Sequence, residues 1–336
     1  MKPLVSILIP CFNAALWLKE TLESALRQSW PSKEIILVDD GSTDQSLAIA
    51  ESFAPRGVRI ISQTNRGAAT ARNAALRTAT GDFIQYLDAD DLLDCYKIEN
   101  QMGLLLNGPS TVVAAGQWAR FYTSPAEAAF TPEALWKDML PIDWLVTGWE
   151  NNLMMHPAAW LVPRRIAELA GEWDESLSLN DDGEYFCRVV LSCDKVVFCE
   201  TAKSFYRSDL PGSLSKLRSS PAWHSQFRTL ELNADRLLAR EDSGRTRLAC
   251  SITFQRFIYE IYPHEPALQI RAQKKVRELG GCDLKPDGGP LFHLLSRMIG
   301  WKSSKRLKDS VYRLGYKRFA LGRIISGTLG KAGRAD

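Results

Sequence analysis

Histidine is scarce in this chain, with four in 336 residues, and His156 has no second histidine near it to make a metal pair. The seven cysteines are an odd number with no C-x-x-C pair, which removes a zinc site and leaves reduced, buried thiols of a cytosolic protein as the expectation. No uninterrupted apolar run reaches the roughly 18 residues a spanning helix needs. No solenoid period and no low-complexity tract is visible. The first strand-to-helix turn carries PCFNAA where a dinucleotide site would have G-x-G-x-x-G, and no Walker loop occurs. A Ser-His or Cys-His nucleophile set is missing as well. Dinucleotide, P-loop and covalent chemistry therefore drop out.

What is present is ordinary for a soluble globular chain: 45% apolar and 24% charged residues. The length exceeds one core, so one large domain plus an appendage is expected. The start, MKPLVSILIPCFN, lacks a small-residue cleavage site and reads as folded structure, not a secretory leader. The net charge of +3 is unevenly placed. Residues 290–336 carry eleven Lys and Arg against Asp309 and Asp336, leaving 31 basic and 37 acidic groups in the body, a net of −6.

The first hundred residues alternate. Branched runs at Leu4–Ile9, Glu34–Val38 and Val58–Ser62, then GDFIQYL, read as buried strands. Helices are expected from Ala14 to about Gln28 with Asn13 as N-cap, after Asp44 to about Phe53, and over Ala68–Thr78. Such alternation implies right-handed crossovers and a mostly parallel sheet, whose ligands sit outside the carboxyl ends of the strands. Three polar clusters fall there: Pro10–Asn13, Asp39–Asp44 and Asp88–Asp91. Carboxylates as close as Asp88, Asp90 and Asp91 repel one another unless a cation intervenes, and hard oxygen donors suit Mg²⁺ or Mn²⁺. Taken alone, the cluster also reads as a solvated turn capping the next helix.

Together VSILIPCFNA, EIILVDDGSTD, NRGAATARNAAL and GDFIQYLDADD resemble the inverting family 2 glycosyltransferases and their α/β, GT-A nucleotide-sugar-binding fold. The resemblance implies that Asp39 accepts from the uracil edge of the donor, with Pro10 and Phe12 lining the base pocket. Phe12 stands where the family more often has Tyr. Asp40 would support the loop and Ser42–Thr43 cap the following helix. Arg72 would contact the base or diphosphate. Within the D-x-D of Asp88, Ala89 and Asp90, Asp88 takes the ribose and Asp90 the metal, Mn²⁺ or Mg²⁺. Asp91 would either back the metal ligand or cap the helix beginning near Asp94.

Downstream, Thr111–Ala115 and Gln117–Tyr122 read as strands. Trp149, beside Glu150, is the aromatic expected to face substrate. His156 reads as structural. GEWDESLSLNDDGEYFCRVV resembles the family's acidic pair opening a helix, which assigns the catalytic base to Asp182, with Asp181 beside it. The family commonly has Glu-Asp and a large residue where this chain has Asp181-Asp182-Gly183. A helix N-terminus favours ionised carboxylates there, and caps alone would also place them there. Lys195–Cys199 and Ala202–Tyr206 read as a closing hairpin. Tyr206-Arg207 with Ser213 and Ser215 resembles a flexible segment that closes over donor phosphates, though Ser208 and Asp209 stand where many relatives have His.

Residues 1–215 are thus expected to form the GT-A domain, with 1–110 binding nucleotide-sugar and 111–215 the acceptor, followed by a helical region 216–336. In the tail Leu291, Leu294, Leu295, Met298 and Ile299 form an apolar stripe. Leu307, Val311, Leu314, Leu321 and Ile325 continue it among basic residues. That suits an anionic membrane surface or packing on the domain. Nucleic acid is a poor third, since no reading motif accompanies the charge. The expectation is a cytoplasmic transferase, peripheral on the inner face of the cell membrane, using a nucleotide-sugar donor and a glycan or lipid-linked acceptor. A sugar nucleotidyltransferase or a non-catalytic nucleotide-sugar-binding protein remains as the alternative.

Overall fold

The structure is a computed structural model describing residues 2–210 and 218–313, the side chains of 311–313 excepted. Ser213, Ser215, Leu314, Leu321 and Ile325 lie outside the described residues. Strands β1 (Val5–Cys11), β2 (Lys33–Asp40), β3 (Val58–Gln63), β4 (Phe83–Tyr86), β5 (Leu92–Leu93), β6 (Val112–Phe121), β7 (Trp160–Pro163) and β8 (Lys195–Arg207) form one sheet. Its order is β3-β2-β1-β4-β7-β6-β8-β5. β1 to β4 run parallel, β7 is antiparallel to both its neighbours, and β6 and β8 pair parallel. The carboxyl ends of β1, β2, β4, β6 and β8 therefore share one edge.

Every residue of β1 is buried, as a strand covered on both faces must be. Its side chains alternate between two cores. Ile7 and Ile9 join Leu18, Leu22 and Ala25 of helix α1 (Leu18–Leu26), while Leu8 joins Ala69, Ala71 and Ala75 of α3 (Ala68–Thr78). The small residues of α3 let it lie close to the sheet. Further helices are α2 (Ser46–Ser52), α4 (Lys97–Leu106), α5 (Pro141–Asn151), α6 (Arg164–Ala170) and α7 (Asp181–Leu191). Beyond the sheet come α8 (Ser220–Arg240), α9 (Gly244–Ile261), α10 (Pro266–Glu278), α11 (Pro290–Ile299) and α12 (Trp301–Arg313). Phe227, Leu237, Phe254 and Phe257 of α8 and α9 belong to the same core as Trp160 and Tyr185.

Two expectations need correction. The closing hairpin is a single strand of 13 residues: β8 pairs parallel with β6, and its register jumps from Gly116↔Cys199 to Gln117↔Lys203. The extra residues loop out instead of reversing the chain, because a Cβ on Gly116 would stand 2.7 Å from the Ala202 carbonyl and the backbones can approach only there. The two strands around Gly116 are likewise one, β6. Among the cysteines Cys95 is exposed and Cys282 partly so; the other five are buried, and all seven are free.

Candidate active site

At the nucleotide edge, β1 and β2 end side by side, with Pro10 opposite Val38 and Cys11 opposite Asp39. Asp39 is 1% exposed; its Oδ2 accepts the Ser42 N–H at 3.3 Å, and its Oδ1 is buried with no partner among the described residues. A buried, unmatched acceptor costs stability unless something donates to it. Phe12, one residue beyond β1, leaves half its surface exposed. Asp40 accepts from Gln63 Nε2 at 2.7 Å and from the N–H groups of Arg66 (2.9 Å) and Gly67 (2.8 Å), fastening β2 to the loop before α3. Asn13 does not cap a helix. It has φ 48°, α1 begins only at Leu18, and its Oδ1 accepts from Thr43 N–H and Asp44 N–H while its own N–H donates to Ser42 Oγ. Ser42 and Thr43 are likewise bound to Asn13, and Asp44 takes the N–H and hydroxyl of Ser46 at the start of α2. The two loops hold each other.

At the end of β4 the carboxylates separate. Arg72 of α3, 6% exposed, reaches Asp88 Oδ1 with Nη2 and Asp181 Oδ2 with Nη1, both at 2.8 Å, while lying 4.4 Å over the Trp173 ring. Burial opposes its charge, but Asp88 and Asp181 outweigh that and hold it cationic. The Ala89 carbonyl accepts from Thr21 Oγ1 of α1. Burial, then Asp91 and Asp88, push the Asp90 carboxyl well above the usual range, so this corner is short of positive charge. No three His, Cys, Asp or Glu side chains converge as a cation cage among the described residues, so a hard divalent cation at Asp90 would take most of its oxygens from ligand and water. Asp91 caps no helix. Its Oδ1 accepts the Arg207 N–H at 2.8 Å and its Oδ2 lies 3.3 Å from His156 Nδ1. Burial and Asp88 raise it, while burial drives His156 down to about 3, leaving a neutral imidazole whose Nε2 meets Ser204 Oγ.

α7 brings Asp181 and Asp182 in at its first turn. Asp181 Oδ1 accepts the Asp182 N–H and Asp182 Oδ1 accepts the Gly183 N–H. Burial and the adjacent Asp181 raise Asp182 to about 6, against the expected influence of the helix terminus. Gly183 has a reason to be small: a Cβ there would stand 2.3 Å from Asn180 Oδ1. The turn ahead of α7 is held from α8, where Ser225 Oγ accepts from Ser178 and Leu179 and Asn233 Nδ2 donates to the Gly183 carbonyl. It is held from α3 too, since Asn73 exchanges bonds with the Trp173 N–H and carbonyl.

Arg207 is held at the base of the expected closing segment. It ends β8, 5% exposed, with Nε on the Asp90 carbonyl, Nη2 on Glu20 at 2.6 Å, and its face 4.4 Å over Phe121. Trp149 sits partly buried against the core in α5, its carbonyl accepting from Arg256 of α9. Glu20 carried no signal, since it gains its place only by meeting Arg207 across the fold.

A mostly parallel sheet with unmatched carboxylates gathered at its carboxyl edge, flanked by helices, defines the GT-A class of nucleotide-sugar fold. The model of Glycosyl transferase family 2 matches residues 6–167. Glycosyltransferase GlyG of Streptococcus pneumoniae is 40% identical over 232 residues, 66% of this chain and 76% of GlyG. The chain belongs to glycosyltransferase family 2. It spans only about half the length of several curated relatives that it matches, 48% of one and 56% of two others. The fold is similar to S. aureus TarS 1-349 in complex with UDP-GlcNAc, at TM-score 0.69 and 18% identity over 95% of this chain and 93% of that one. It is also similar to the mannosyltransferase PcManGT of Pyrobaculum calidifontis in complex with GDP-Man and Mn²⁺, at TM-score 0.54 and 16% identity over 95% and 82%.

Proposed function

We propose that this protein is an inverting, metal-dependent glycosyltransferase that moves a sugar from a nucleotide-sugar, UDP-linked, to a hydroxyl of a glycan or lipid-linked glycan. The observation that carries this reading is the Arg72 bridge. One guanidinium, 2.8 Å from Asp88 and 2.8 Å from Asp181, joins the end of β4 to the start of α7, so a base on α7 stands beside the D-x-D carboxylates. Asp39 Oδ1 is the free acceptor a uracil N–H needs, with Pro10 and the exposed Phe12 ring beside it. Asp88 takes the ribose. Asp90 holds Mn²⁺ or Mg²⁺, which when bound neutralises charge on the departing diphosphate.

Asp182 accepts the proton of the acceptor hydroxyl. That oxygen bonds to the anomeric carbon from the face opposite the diphosphate, whose bond breaks with its electrons, through an oxocarbenium-like transition state. A base at about 6 is ionised in about nine-tenths of molecules at pH 7, yet basic enough to take a proton. One displacement needs one base and no protein nucleophile. The UDP assignment leans on the TarS complex and the metal on the PcManGT complex, each said of those proteins. A thermal-shift series with UDP-, GDP- and dTDP-sugars, with and without Mn²⁺, tests it. UDP-sugars with Mn²⁺ should raise the midpoint, since ligand at a hundred times its Kd adds about 2.7 kcal/mol. A midpoint moved by none of them sinks the reading.

The same reading puts the chain on the cytoplasmic face of an anionic membrane. Leu291, Leu294, Met298 and Ile299 are exposed along α11, Met298 at 73%; Arg297 shares that helix and Lys308 lies 5.7 Å over its Phe292 ring. α12 packs on the body through Trp301, 4.8 Å from the Tyr259 ring, and Lys305, which donates to the Tyr259 carbonyl. The apolar stripe therefore faces outward on an anchored base, among cations that suit acidic headgroups. No helix among the described residues is long and apolar enough to cross a membrane.

A further inference from the structure

Arg120 lies one residue from the carboxyl end of β6, on the same edge as the carboxylates but two strands beyond β4, about 10 Å at ordinary strand spacing. It is exposed and yet held. Its guanidinium lies 4.9 Å from the Tyr206 ring and 5.5 Å from Trp118, donates to Ser208 Oγ at 3.0 Å, and touches Met154 Sδ at 3.6 Å. The platform beneath it is continuous with the site. The rings of Trp118 and Tyr206 each stand 5.6 Å from His156, which is 3.3 Å from Asp91. The charge of Arg120 reaches the buried Asp91 and the half-buried Glu133, both of which it favours in the ionised form, but it grips neither directly as Arg72 and Arg207 at the same edge each grip a carboxylate.

A long cationic side chain stacked on two rings has given up much of its rotamer freedom, and beyond Ser208 and Met154 its edge is free of hydrogen bonds to the described residues. A guanidinium fixed by its face and open at its edge suits two oxygens of an oxyanion. The uracil-side residues Pro10, Phe12 and Asp39 lie in or just past β1 and β2, on the other side of β4, so the donor base is not the ligand. We propose that Arg120 is an acceptor-binding residue that grips an anionic group, phosphate or carboxylate, on the glycan acceptor, about one sugar ring from the reacting hydroxyl. This rests on the transferase reading above and adds the charge class of the acceptor.

The test measures binding of glucose 1-phosphate, glucuronate and methyl glucoside to the full chain saturated with UDP and Mn²⁺, beside Arg120→Gln and Arg120→Lys. UDP occupancy keeps the probes out of the donor's phosphate site. Wild type should hold at least one anionic sugar about 10- to 100-fold tighter than methyl glucoside, the range for a charge-assisted pair. Whether glucose 1-phosphate or glucuronate gains more tells phosphate from carboxylate. Arg120→Gln should erase the preference and Arg120→Lys keep part of it, with UDP affinity unchanged in both. Equal binding of all three sugars by wild type overturns the proposal. So does an equal loss of UDP affinity in Arg120→Gln, which would give the residue to the donor diphosphate. Failure of wild type to bind UDP at all would instead remove the transferase reading, and this one with it.

Discussion

On the proposed reading, the residue that decides the chemistry is Asp182. Replacing it by Asn keeps the shape and the bond to Gly183 N–H but removes the basic oxygen. Transfer by Asp182→Asn should fall about 10²- to 10⁴-fold in kcat with UDP affinity preserved, as steady-state UDP release and calorimetry would read. Turnover equal to wild type would give the base to another group. The pH profile carries the sign. A base raised to about 6 is protonated below that value, so kcat should fall about tenfold per unit below pH 6 and stay level from about 7 upward. An acid limb near 4 would mean that Asp181 does not lift Asp182 in the working enzyme. Short acidic side chains at strand ends and helix starts were legible in the sequence because the backbone alone fixes where they point. The partners of Arg207 were not legible for the opposite reason: a long side chain goes where its partners are, and Glu20 stands 187 residues away.

Among the elements, the loop after β2 shows how backbone geometry sets a pocket. Gly41 has φ 72°, and a Cβ there would lie 2.7 Å from the Asn65 N atom. Gly41→Ala should cost about 1–3 kcal/mol and weaken UDP binding, since the displaced loop carries the Ser42 N–H that steadies Asp39. Chemical denaturation and UDP titration would check both, and an unchanged midpoint would contradict the crowding argument. α3 acts at the same scale. Asn73 binds the turn at Trp173 and Arg72 binds Asp181, so one helix carries both halves of the site. Asn73→Ala should slow transfer more than it weakens UDP binding. Equal losses would mean that the turn before α7 is held by α8 alone. The period of α3 was readable from its small residues, whereas its reach to residues 100 positions later was not.

Over the whole molecule, the acidic body and basic C-terminal arm make a membrane reading testable without disturbing the core. Leu294→Glu with Met298→Glu alters two exposed side chains, at 55% and 73%, so the fold and UDP binding should persist. Co-sedimentation with phosphatidylserine-containing vesicles should drop for this variant. Wild-type pelleting should weaken as salt rises from about 0.1 to 1 M, where the screening length shrinks from about 10 to 3 Å. Equal pelleting of variant and wild type would remove α11 from the contact. α8 has a second consequence at this scale, since Ser225 and Asn233 reach the turn bearing Asp181 and Asp182. The helical region is part of the site's scaffold.

The sequence by itself determined the strand-helix alternation and the edge on which the polar clusters meet, which follow from local periodicity. Asp39, Asp88, Asp90 and Asp182 were picked out as candidates by the resemblance of their motifs. Only the tertiary structure decided which charge answers which. It put Arg72 between Asp88 and Asp181, locked Arg207 against Asp91 and Glu20, made one strand of the expected hairpin, and stacked Arg120 on Trp118 and Tyr206. Those outcomes depend on distances between segments far apart in the chain, which no local pattern encodes.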